Sequence, residues 1–461
     1  MSEADRGKDS RFQWSLESDN RPERALVLVP DIRSANEQPH TADGAGGTSP
    51  DRIQERSLEA RLQEAVGLAR AIDLEIVSSA IVPVRQRRPA TLIGAGKVDE
   101  ITGLIKAEEI GLAVVDHPLT PVQQRNLEKA WNCKVLDRTG LILEIFGARA
   151  RTREGRLQVE LAHLNYQKGR LVRQWTHLER QRGGLGKTGG PGETQIEADR
   201  RLLQDRIIRL ERDLEKVRRT RDLHRAKRKK TPVPVVALVG YTNAGKSTLF
   251  NKLTGAAVLA KDQLFATLDP TLRKLRLPGG GQIILSDTVG FVSNLPTMLV
   301  AAFRATLEEV LEADLILHVR DIADPDSQAQ AQDVYTILSQ LGVEQQGHDR
   351  VIEVWNKTDL LEPESLAAMR AVKTAQRSPV LVSALTGEGV DGLLAAIETG
   401  LASGEDQFNL VLGVTDLGRL PWIYENTQVI ERKNRKDGSV ALKLRGSQTV
   451  RNKLSAMARA K

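Results

Sequence analysis

The segment VVALVGYTNAGKSTLF, residues 235–250, constrains the fold of this chain more than any other. An apolar run typical of a buried strand leads into Gly240-x-x-x-x-Gly245-Lys246-Ser247, and a helical pattern follows. Glycines let backbone N–H groups wrap phosphates, and the N-terminus of the following helix adds partial positive charge. Lys246 can contact the β and γ phosphates, and Ser247 can offer a hydroxyl to Mg²⁺. The segment therefore predicts a nucleoside triphosphate site in an α/β fold.

Two later segments indicate which base is bound. VIEVWNKTDL (351–360) is an apolar run that ends in Asn356-Lys357-x-Asp359. The Asp359 carboxylate can accept hydrogen bonds from N1–H and the exocyclic amine of guanine, whereas adenine would leave it unpaired. VLVSALTGEGV (380–390) follows a further strand, and the backbone N–H of Ala384 is expected to meet guanine O6. Lys357 is expected to lie over the base, so the predicted substrate is GTP.

Two segments between the phosphate-binding segment and VIEVWNKTDL predict the Mg²⁺ side of the site. IILSDTVGF (283–291) is a strand that ends in Asp287-x-x-Gly290, where Asp287 can hold the Mg²⁺ shell through water and the Gly290 N–H can sense the γ-phosphate. Thr267, in LFATLDPT, is expected to supply a second hydroxyl to Mg²⁺ only when GTP orders that loop. Thr271 remains an alternative for this role.

The residue after Gly290 departs from a common pattern. Many GTPases place a glutamine there, where it orients the attacking water. This chain has Phe291, which cannot do so. Unaided hydrolysis is therefore expected to be slow, with a partner, an ion or another side chain supplying what is missing.

The candidate site residues follow from these segments. Lys246, Thr267 and Gly290 are the catalytic candidates, and Ser247, Thr267 and Asp287 are the metal candidates. The nucleotide-binding candidates are Gly240, Tyr241, Thr242, Asn243, Ala244, Gly245, Lys246, Ser247, Thr248, Phe265, Ala266, Thr267, Asp287, Thr288, Val289, Gly290, Asn356, Lys357, Asp359, Ser383, Ala384 and Leu385.

The remaining sequence predicts further domains around this nucleotide domain, which spans residues 235–402. Residues 25–150 alternate short apolar runs with helical patterns, which is typical of a small α/β domain with a mostly parallel sheet. Residues 1–24 are polar and predict a flexible tail. Residues 408–461 predict a strand, a helix, two strands and a helix, in a small α+β domain.

Residues 151–230 have a different pattern. Leucines and other apolar residues follow a heptad rhythm from Leu157 to Leu178 and again from Leu203 to Val217. The glycine-rich GGLGKTGGPGE (183–193) between them is not expected to be helical. The pattern predicts an antiparallel helical hairpin with a glycine-rich tip. Two separate amphipathic helices remain an alternative.

Charge favours a nucleic-acid partner. The net charge is +7, and three stretches concentrate it: residues 149–187, 211–231 and 430–461 each hold ten Lys or Arg, against three, four and two Asp or Glu. Concentrated positive charge favours a polyanion through counterion release. Any one stretch alone is better explained as a solvated helix face, but the three together favour a nucleic-acid partner. The single Cys133 excludes an internal disulfide, and we find no apolar span or signal segment. A cytoplasmic protein without a membrane span is expected.

The chain resembles the HflX-type GTPases of the Obg–HflX group of translation-associated P-loop GTPases. The resemblance covers residues 25 to 400 and includes blocks such as LTPVQQRNLE, EGRLQVELAHLNYQKGRL, GGPGETQIEADRR and FATLDPT. It implies binding to the large ribosomal subunit, ribosome-stimulated hydrolysis, and a role in rescue, splitting or recycling of stalled ribosomes under stress. A monomer is expected. The alternative is an RNA-binding or ribosome-assembly scaffold in which hydrolysis is incidental.

The resemblance also suggests roles for particular residues. In similar proteins the hairpin tip reaches toward rRNA near the peptidyl-transferase region, which here implicates Gly184, Lys187, Gly190 and Gly192. In potassium-dependent relatives an asparagine at the position of Asn243 helps to hold K⁺, although a loop-shaping role is equally open.

Two further features are ambiguous in sequence. Some members of the family handle ATP through the N-terminal domain, and GAGK (94–97) superficially resembles a second phosphate loop. A tight turn that enters a helix is the better account, because the longer glycine spacing and the trailing Ser or Thr are missing. Arg320 interrupts an apolar strand and is expected to point to solvent.

Overall fold

The protein is described here from a computed structural model. The described residues are 23–32, 56–181, 191–228, 233–256, 264–265, 267–268, 270–293, 295–296, 299, 309–343, 350–371, 378–403, 405–435, 437–447 and 454. The chain divides into two compact units, one made of residues up to 148 with 159–208, the other of 149–158 and 209–461. Each unit is considered by itself.

The first unit is built on a four-stranded parallel sheet in the order β2-β1-β3-β4. Its strands are β1 (Arg24–Asp31), β2 (Glu75–Pro83), β3 (Leu112–Val115) and β4 (Lys134–Asp137). The helices are α1 (Leu58–Arg70), α2 (Ala95–Ala107), α3 (Pro121–Trp131) and α4 (Arg138–Arg149). All four residues of β3 are buried, as expected for a parallel strand covered on both faces. The predicted parallel α/β fold is confirmed.

Helix α3 shows how local sequence sets an element boundary. Thr120 caps the helix, its hydroxyl accepting from the Gln123 N–H while the Gln123 side chain accepts from the Thr120 N–H. Pro121 occupies the first turn, where its missing N–H costs nothing. Trp131, at the other end, is 1% exposed and donates its Nε1–H to the Val98 carbonyl in α2.

GAGK forms the entry to helix α2. Gly94 is the N-cap and the helix begins at Ala95, in agreement with the predicted turn. A Cβ added at Gly94 or Gly96 would meet nothing within 4 Å, so these glycines do not enclose a tight cradle. Lys97 pairs with Glu100 on the same helix at 2.6 Å. These contacts favour a helix start over a second phosphate loop.

Two long helices follow, α5 (Arg153–Gln181) and α6 (Pro191–Arg228). Arg206 of α6 pairs with Glu160 of α5 at 2.5 Å, and Lys168 donates to Gln204, also at 2.5 Å. Residue numbers rise along α5 while they fall along α6, so the helices are antiparallel, as predicted.

The prediction for the tip of this hairpin is wrong at its C-terminal end. Residues 191–193 were expected to be non-helical, but α6 begins at Pro191 and therefore includes Gly192. Proline is favoured in the first helical turn because its φ is already helical and its missing N–H would have no partner there. Gly184, Lys187 and Gly190 lie outside the described residues.

The second unit contains a six-stranded sheet in the order β10-β9-β8-β5-β7-β6, parallel except for β6, which runs antiparallel to β7. Its strands are β5 (Val235–Gly240), β6 (Thr271–Arg276), β7 (Gln282–Asp287), β8 (Leu315–Asp321), β9 (Val351–Asn356) and β10 (Val380–Leu381). Its helices are α7 (Lys246–Thr254), α8 (Ser327–Gln340), α9 (Pro363–Ala371) and α10 (Val390–Ser403). The carboxyl ends of β5, β7 and β9 bring three predicted segments to one edge of the sheet, where doubly wound folds bind ligands.

A third sheet, also in the second unit, is antiparallel with the order β11-β13-β12. Its strands are β11 (Glu405–Leu412), β12 (Gln428–Asn434) and β13 (Val440–Ser447), with α11 (Leu420–Asn426) after β11. This order matches the predicted strand, helix, strand and strand. The final predicted helix falls almost wholly outside the described residues, of which Leu454 is the last.

Candidate nucleotide-binding site

The loop between β5 and α7 is closed by glycines that no other residue could replace without displacement. A Cβ at Gly240 would lie 2.1 Å from the Val319 carbonyl oxygen, and one at Gly245 would lie 2.2 Å from Asn356 Nδ2. Gly245 and Asn243 also have positive φ, +87° and +61°. Asparagine tolerates this conformation, which agrees with the loop-shaping role of Asn243 and leaves the K⁺ role untested.

Lys246 is buried at the start of α7. Its Nζ donates to the carbonyl oxygens of Gly240, at 3.1 Å, and Tyr241, at 2.7 Å. Burial lowers the pKa of this amine to about 8, and the Asp287 carboxylate acts in the opposite direction. The loop therefore holds a buried ammonium group that water solvates poorly. Phosphate oxygens would stabilise its charge.

Three oxygen-bearing side chains from different segments meet beside Lys246. The hydroxyls of Ser247 and Thr267 donate to Asp287 Oδ2 at 2.7 and 3.0 Å, and lie 2.9 Å from each other. Asp287 is fully buried, and its Oδ1 has no hydrogen-bond partner among the described residues. Burial raises the pKa of its carboxyl, while the Ser247 hydroxyl and Lys246 lower it.

This donor set fits Mg²⁺. Magnesium prefers hard oxygen ligands in a compact arrangement. The buried carboxylate oxygen that has no hydrogen-bond partner among the described residues is available as one such ligand. Of the two threonines left open by the sequence, Thr267 has its hydroxyl at this cluster. Thr271 begins β6, and its backbone pairs with Asp287 across the sheet.

The segment after Asp287 pairs with the phosphate loop. The Thr242 N–H donates to the Phe291 carbonyl at 2.7 Å, and the Phe291 N–H donates to the Gly240 carbonyl at 3.1 Å. The Ser293 N–H donates to the Tyr241 hydroxyl at 2.8 Å. The Phe291 side chain is 1% exposed, so it is packed inside the protein and cannot orient a water molecule.

Gly290 lies directly against the phosphate loop. A Cβ added there would be 2.9 Å from Thr242 Cα and 3.0 Å from Lys246 Nζ. Its neighbours Thr288 and Val289 are both buried, and the Thr288 hydroxyl donates to the Leu238 carbonyl at 2.6 Å. The structure therefore places Gly290 next to the Lys246 ammonium, and its contact with the γ-phosphate stays a prediction.

Asn356 joins the phosphate loop to the loop after β10. It is 1% exposed, its Nδ2 donates to the Ala244 carbonyl at 2.8 Å, and its Oδ1 accepts from the Ala384 N–H at 3.0 Å. The Ala384 N–H expected on guanine O6 therefore donates to a side chain here, which corrects the simple picture of a free donor. Ser383 is fully buried beside it, and Leu385 is 75% exposed.

The remaining candidates are placed as follows. Asp359 is exposed in a 3-10 turn, Thr358–Leu360, which Lys357 separates from the end of β9. Thr248 is half-buried on α7, and Phe265 is 2% exposed. Ala266 lies outside the described residues.

Sequence reasoning missed one polar network beneath this edge of the sheet, and its expectation for Arg320 is wrong. Arg320 is buried, and it donates to Glu353 on β9 and to Gln328 on α8, both at 3.0 Å. Glu353 also accepts from Tyr335 and from Trp355, at 2.7 and 2.9 Å. The charge inside an apolar run was the signal, but its partner on another strand could not be found from sequence.

Comparisons with known proteins agree with this geometry. Four family models match in order: "GTP-binding GTPase N-terminal" at 59–147, "GTP-binding GTPase Middle Region" at 149–228, "50S ribosome-binding GTPase" at 235–357 and "HflX C-terminal domain" at 368–457. A GTPase HflX from Magnetococcus marinus is 48% identical over 422 residues, 92% of each chain. The chain belongs to the HflX family. It is thus a GTP hydrolase, and Mg²⁺ is typical of such GTPases.

A second curated relative gives the same picture. GTPase HflX of Escherichia coli is 45% identical over 396 residues, which cover 85% of this chain and 91% of the relative. A solved GTP-binding protein from Sulfolobus solfataricus, in complex with GDP, is 21% identical with a TM-score of 0.43. The likeness covers 83% of this chain and 99% of that chain. Among the described residues we find no helix long and apolar enough to cross a membrane.

Proposed function

We propose that this HflX-family GTPase binds the large ribosomal subunit and hydrolyses GTP to GDP and phosphate in the rescue, splitting or recycling of stalled ribosomes under stress. It acts in the cytoplasm as a monomer. The family description "50S ribosome-binding GTPase", matched at 235–357, supports the partner. The three basic stretches of the sequence support an RNA-rich surface.

The observation that carries the catalytic part is the meeting of Ser247, Thr267 and Asp287 beside Lys246. These three side chains would hold Mg²⁺, which when bound offsets phosphate charge in the transition state. Lys246 exchanges its two carbonyl contacts for phosphate oxygens. Gly290 donates its N–H to the γ-phosphate, so the segment that begins at Asp287 responds to the presence of GTP.

Guanine recognition falls to Asp359, with Asn356 and Lys357 shaping the pocket. Asp359 is exposed and follows the end of β9, so it can accept from guanine N1–H and the exocyclic amine. Asn356 sets the spacing between the phosphate loop and the loop of Ala384. Inosine nucleotides, whose base lacks the exocyclic amine, should therefore bind more weakly than the corresponding guanosine nucleotides.

Hydrolysis by the protein alone is slow, because Phe291 is packed inside and no glutamine follows Gly290. The ribosome supplies the missing organisation. Asn243, exposed at the surface of the loop, is the candidate for holding K⁺ beside the phosphates. Turnover measured in K⁺ and in Na⁺ buffers tests this role, and equal rates in both would remove it.

The hairpin of α5 and α6 is the candidate ribosome-binding element. Its tip, with Gly184, Lys187, Gly190 and Gly192, approaches rRNA near the peptidyl-transferase region. Glycines permit close approach of the backbone to RNA, and Lys187 offers a cation to phosphates.

The test is GTP turnover with and without purified large ribosomal subunits. We expect strong stimulation of the wild-type protein and none of Lys246→Ala, which lacks the phosphate-binding cation. Equal turnover with and without subunits contradicts the proposal. It would favour the second candidate, a guanine-nucleotide-dependent RNA-binding or assembly scaffold, for which the basic stretches are the supporting observation.

A further inference from the structure

An ion pair joins the ends of β8 and β9 next to the guanine pocket. Lys357 Nζ lies 2.6 Å from Asp321 Oδ2, and the two side chains are only 26% and 15% exposed. The other Asp321 oxygen, Oδ1, accepts from the Ala323 N–H at 3.1 Å. The carboxylate is therefore oriented by its own loop, independently of the lysine that it binds.

The backbone conformation of Lys357 makes the restraint on its side chain relevant to the guanine pocket. Its φ is +64°, in the left-handed region that a non-glycine residue rarely adopts. It immediately precedes the 3-10 turn Thr358–Leu360, which carries Asp359. The direction in which the chain leaves β9, and hence the position of the Asp359 carboxylate, depends on this one residue. An ion pair that fixes the lysine side chain favours the conformation that the turn requires.

The strand ends beneath the ion pair are held together by several hydrogen bonds. Asp321 lies opposite Asn356 in the parallel register of β8 and β9, and the Ile322 N–H donates to the Asn356 carbonyl at 3.1 Å. One residue earlier on each strand, Arg320 and Trp355 both donate to Glu353. Residues held on strand ends by such a network keep a binding geometry better than residues on free loops.

We propose that Asp321 is a positioning residue for guanine recognition. Its carboxylate holds Lys357 so that the lysine stem flanks the base and the following turn presents Asp359. This inference rests on the proposed function, in which Asn356, Lys357 and Asp359 form the guanine pocket. Asp321 acts through Lys357, so removing its charge has an effect only while the lysine is present.

A double-mutant cycle on GDP binding tests this dependence. The dissociation constant for GDP is measured for the wild type, Asp321→Asn, Lys357→Met and the double variant. We expect Asp321→Asn to weaken GDP binding roughly ten-fold, because a charge-assisted contact is lost. The double variant should bind within about two-fold of Lys357→Met, because a pair that acts as one unit is not additive.

The matched control is Asp324→Asn in the same loop. Asp324 accepts from the Asp326 N–H and from Gln330, both at 2.8 Å, and its carboxylate is not paired with Lys357. We expect this variant to bind GDP like the wild type. Should Asp321→Asn fail to fold, Asp321→Glu carries the test, since it keeps the carboxylate and should retain most of the affinity.

The outcomes separate the inference from the function on which it rests. Wild-type affinity in Asp321→Asn, or additive losses in the double variant, would overturn the positioning role and leave an ordinary structural ion pair. Loss of affinity in Asp321→Glu equal to that of Lys357→Met would overturn it as well. Failure of the wild-type protein to bind GDP would instead overturn the proposed function itself.

Discussion

Replacing Asn356 by aspartate tests the contact that joins the phosphate loop to the guanine pocket. In the wild type, Asn356 Nδ2 donates to the Ala244 carbonyl at 2.8 Å, and the residue is 1% exposed. A carboxylate has nearly the same shape, and it can still accept from the Ala384 N–H. It cannot donate to Ala244, so two oxygens face each other without a proton between them. A buried group left in this way costs about 1–3 kcal/mol, and the buried charge adds to it. We therefore expect Asn356→Asp to lose about 3 kcal/mol of stability near neutral pH.

The loss should depend on pH in a defined direction. A protonated carboxyl can donate to Ala244, so the pKa of the new group is raised in the folded protein. At about 1.4 kcal/mol per pKa unit, a cost of about 3 kcal/mol corresponds to a rise of roughly two units. The folded variant then binds a proton that the unfolded chain does not, and its stability relative to the wild type recovers as the pH falls through about 6.

Urea denaturation of the nucleotide-free protein, in EDTA at about pH 8 and about pH 5, measures this difference. Asn409→Asp, at an exposed position on β11, is the matched control and should behave like the wild type at both pH values. A destabilisation of Asn356→Asp that is the same at both pH values would refute the reasoning, because a missing proton could not then be its cause.

Three further predictions follow from single contacts. Burial lowers the pKa of His318 to about 4, so the unfolded chain takes up a proton as the pH falls from about 7 to about 5, whereas the folded chain does not. Over this pH range, urea denaturation should show that the wild type loses about 2 kcal/mol more free energy of unfolding than His318→Phe. Gly245→Ala places a Cβ 2.2 Å from Asn356 Nδ2 at a φ of +87°, and calorimetry should show GDP binding weakened at least roughly ten-fold. Thr267→Ala should reduce Mg²⁺-dependent GTP turnover at least roughly ten-fold, whereas Thr271→Ala should not; the opposite ranking would make Thr271 the ligand.

Local sequence was sufficient where the chemistry depends on spacing along one segment. The strand, loop and helix around Gly240 and Lys246 were predicted because glycine positions and apolar runs are local properties. Ser247 and Asp287 meet because β5 and β7 are parallel and end at one edge of the sheet. Thr267 precedes the antiparallel strand β6, so its place beside them is a tertiary contact, and the sequence left Thr271 open as an alternative.

Contacts between strands were beyond sequence reasoning. Arg320 pairs with Glu353, and Asp321 with Lys357, across the β8–β9 register, which the sequence does not define. Helix α4 went unpredicted because it follows β4 without a turn signal between Asp137 and Arg138. The hydrogen bond from the Ala384 N–H to Asn356 is likewise a tertiary contact, which backbone patterns cannot reveal.

The proposed function implies a nucleotide switch: the GTP-bound protein would bind the large ribosomal subunit, and the GDP-bound protein would leave it. Co-sedimentation with purified large subunits tests it most directly, in the presence of GTP, GDP or a non-hydrolysable GTP analogue. We expect binding with the analogue to be strong and binding with GDP to be weak, because the γ-phosphate orders the segments of Thr267 and Gly290. Equal binding with all three nucleotides would contradict the switch mechanism, even though the protein would remain a GTPase.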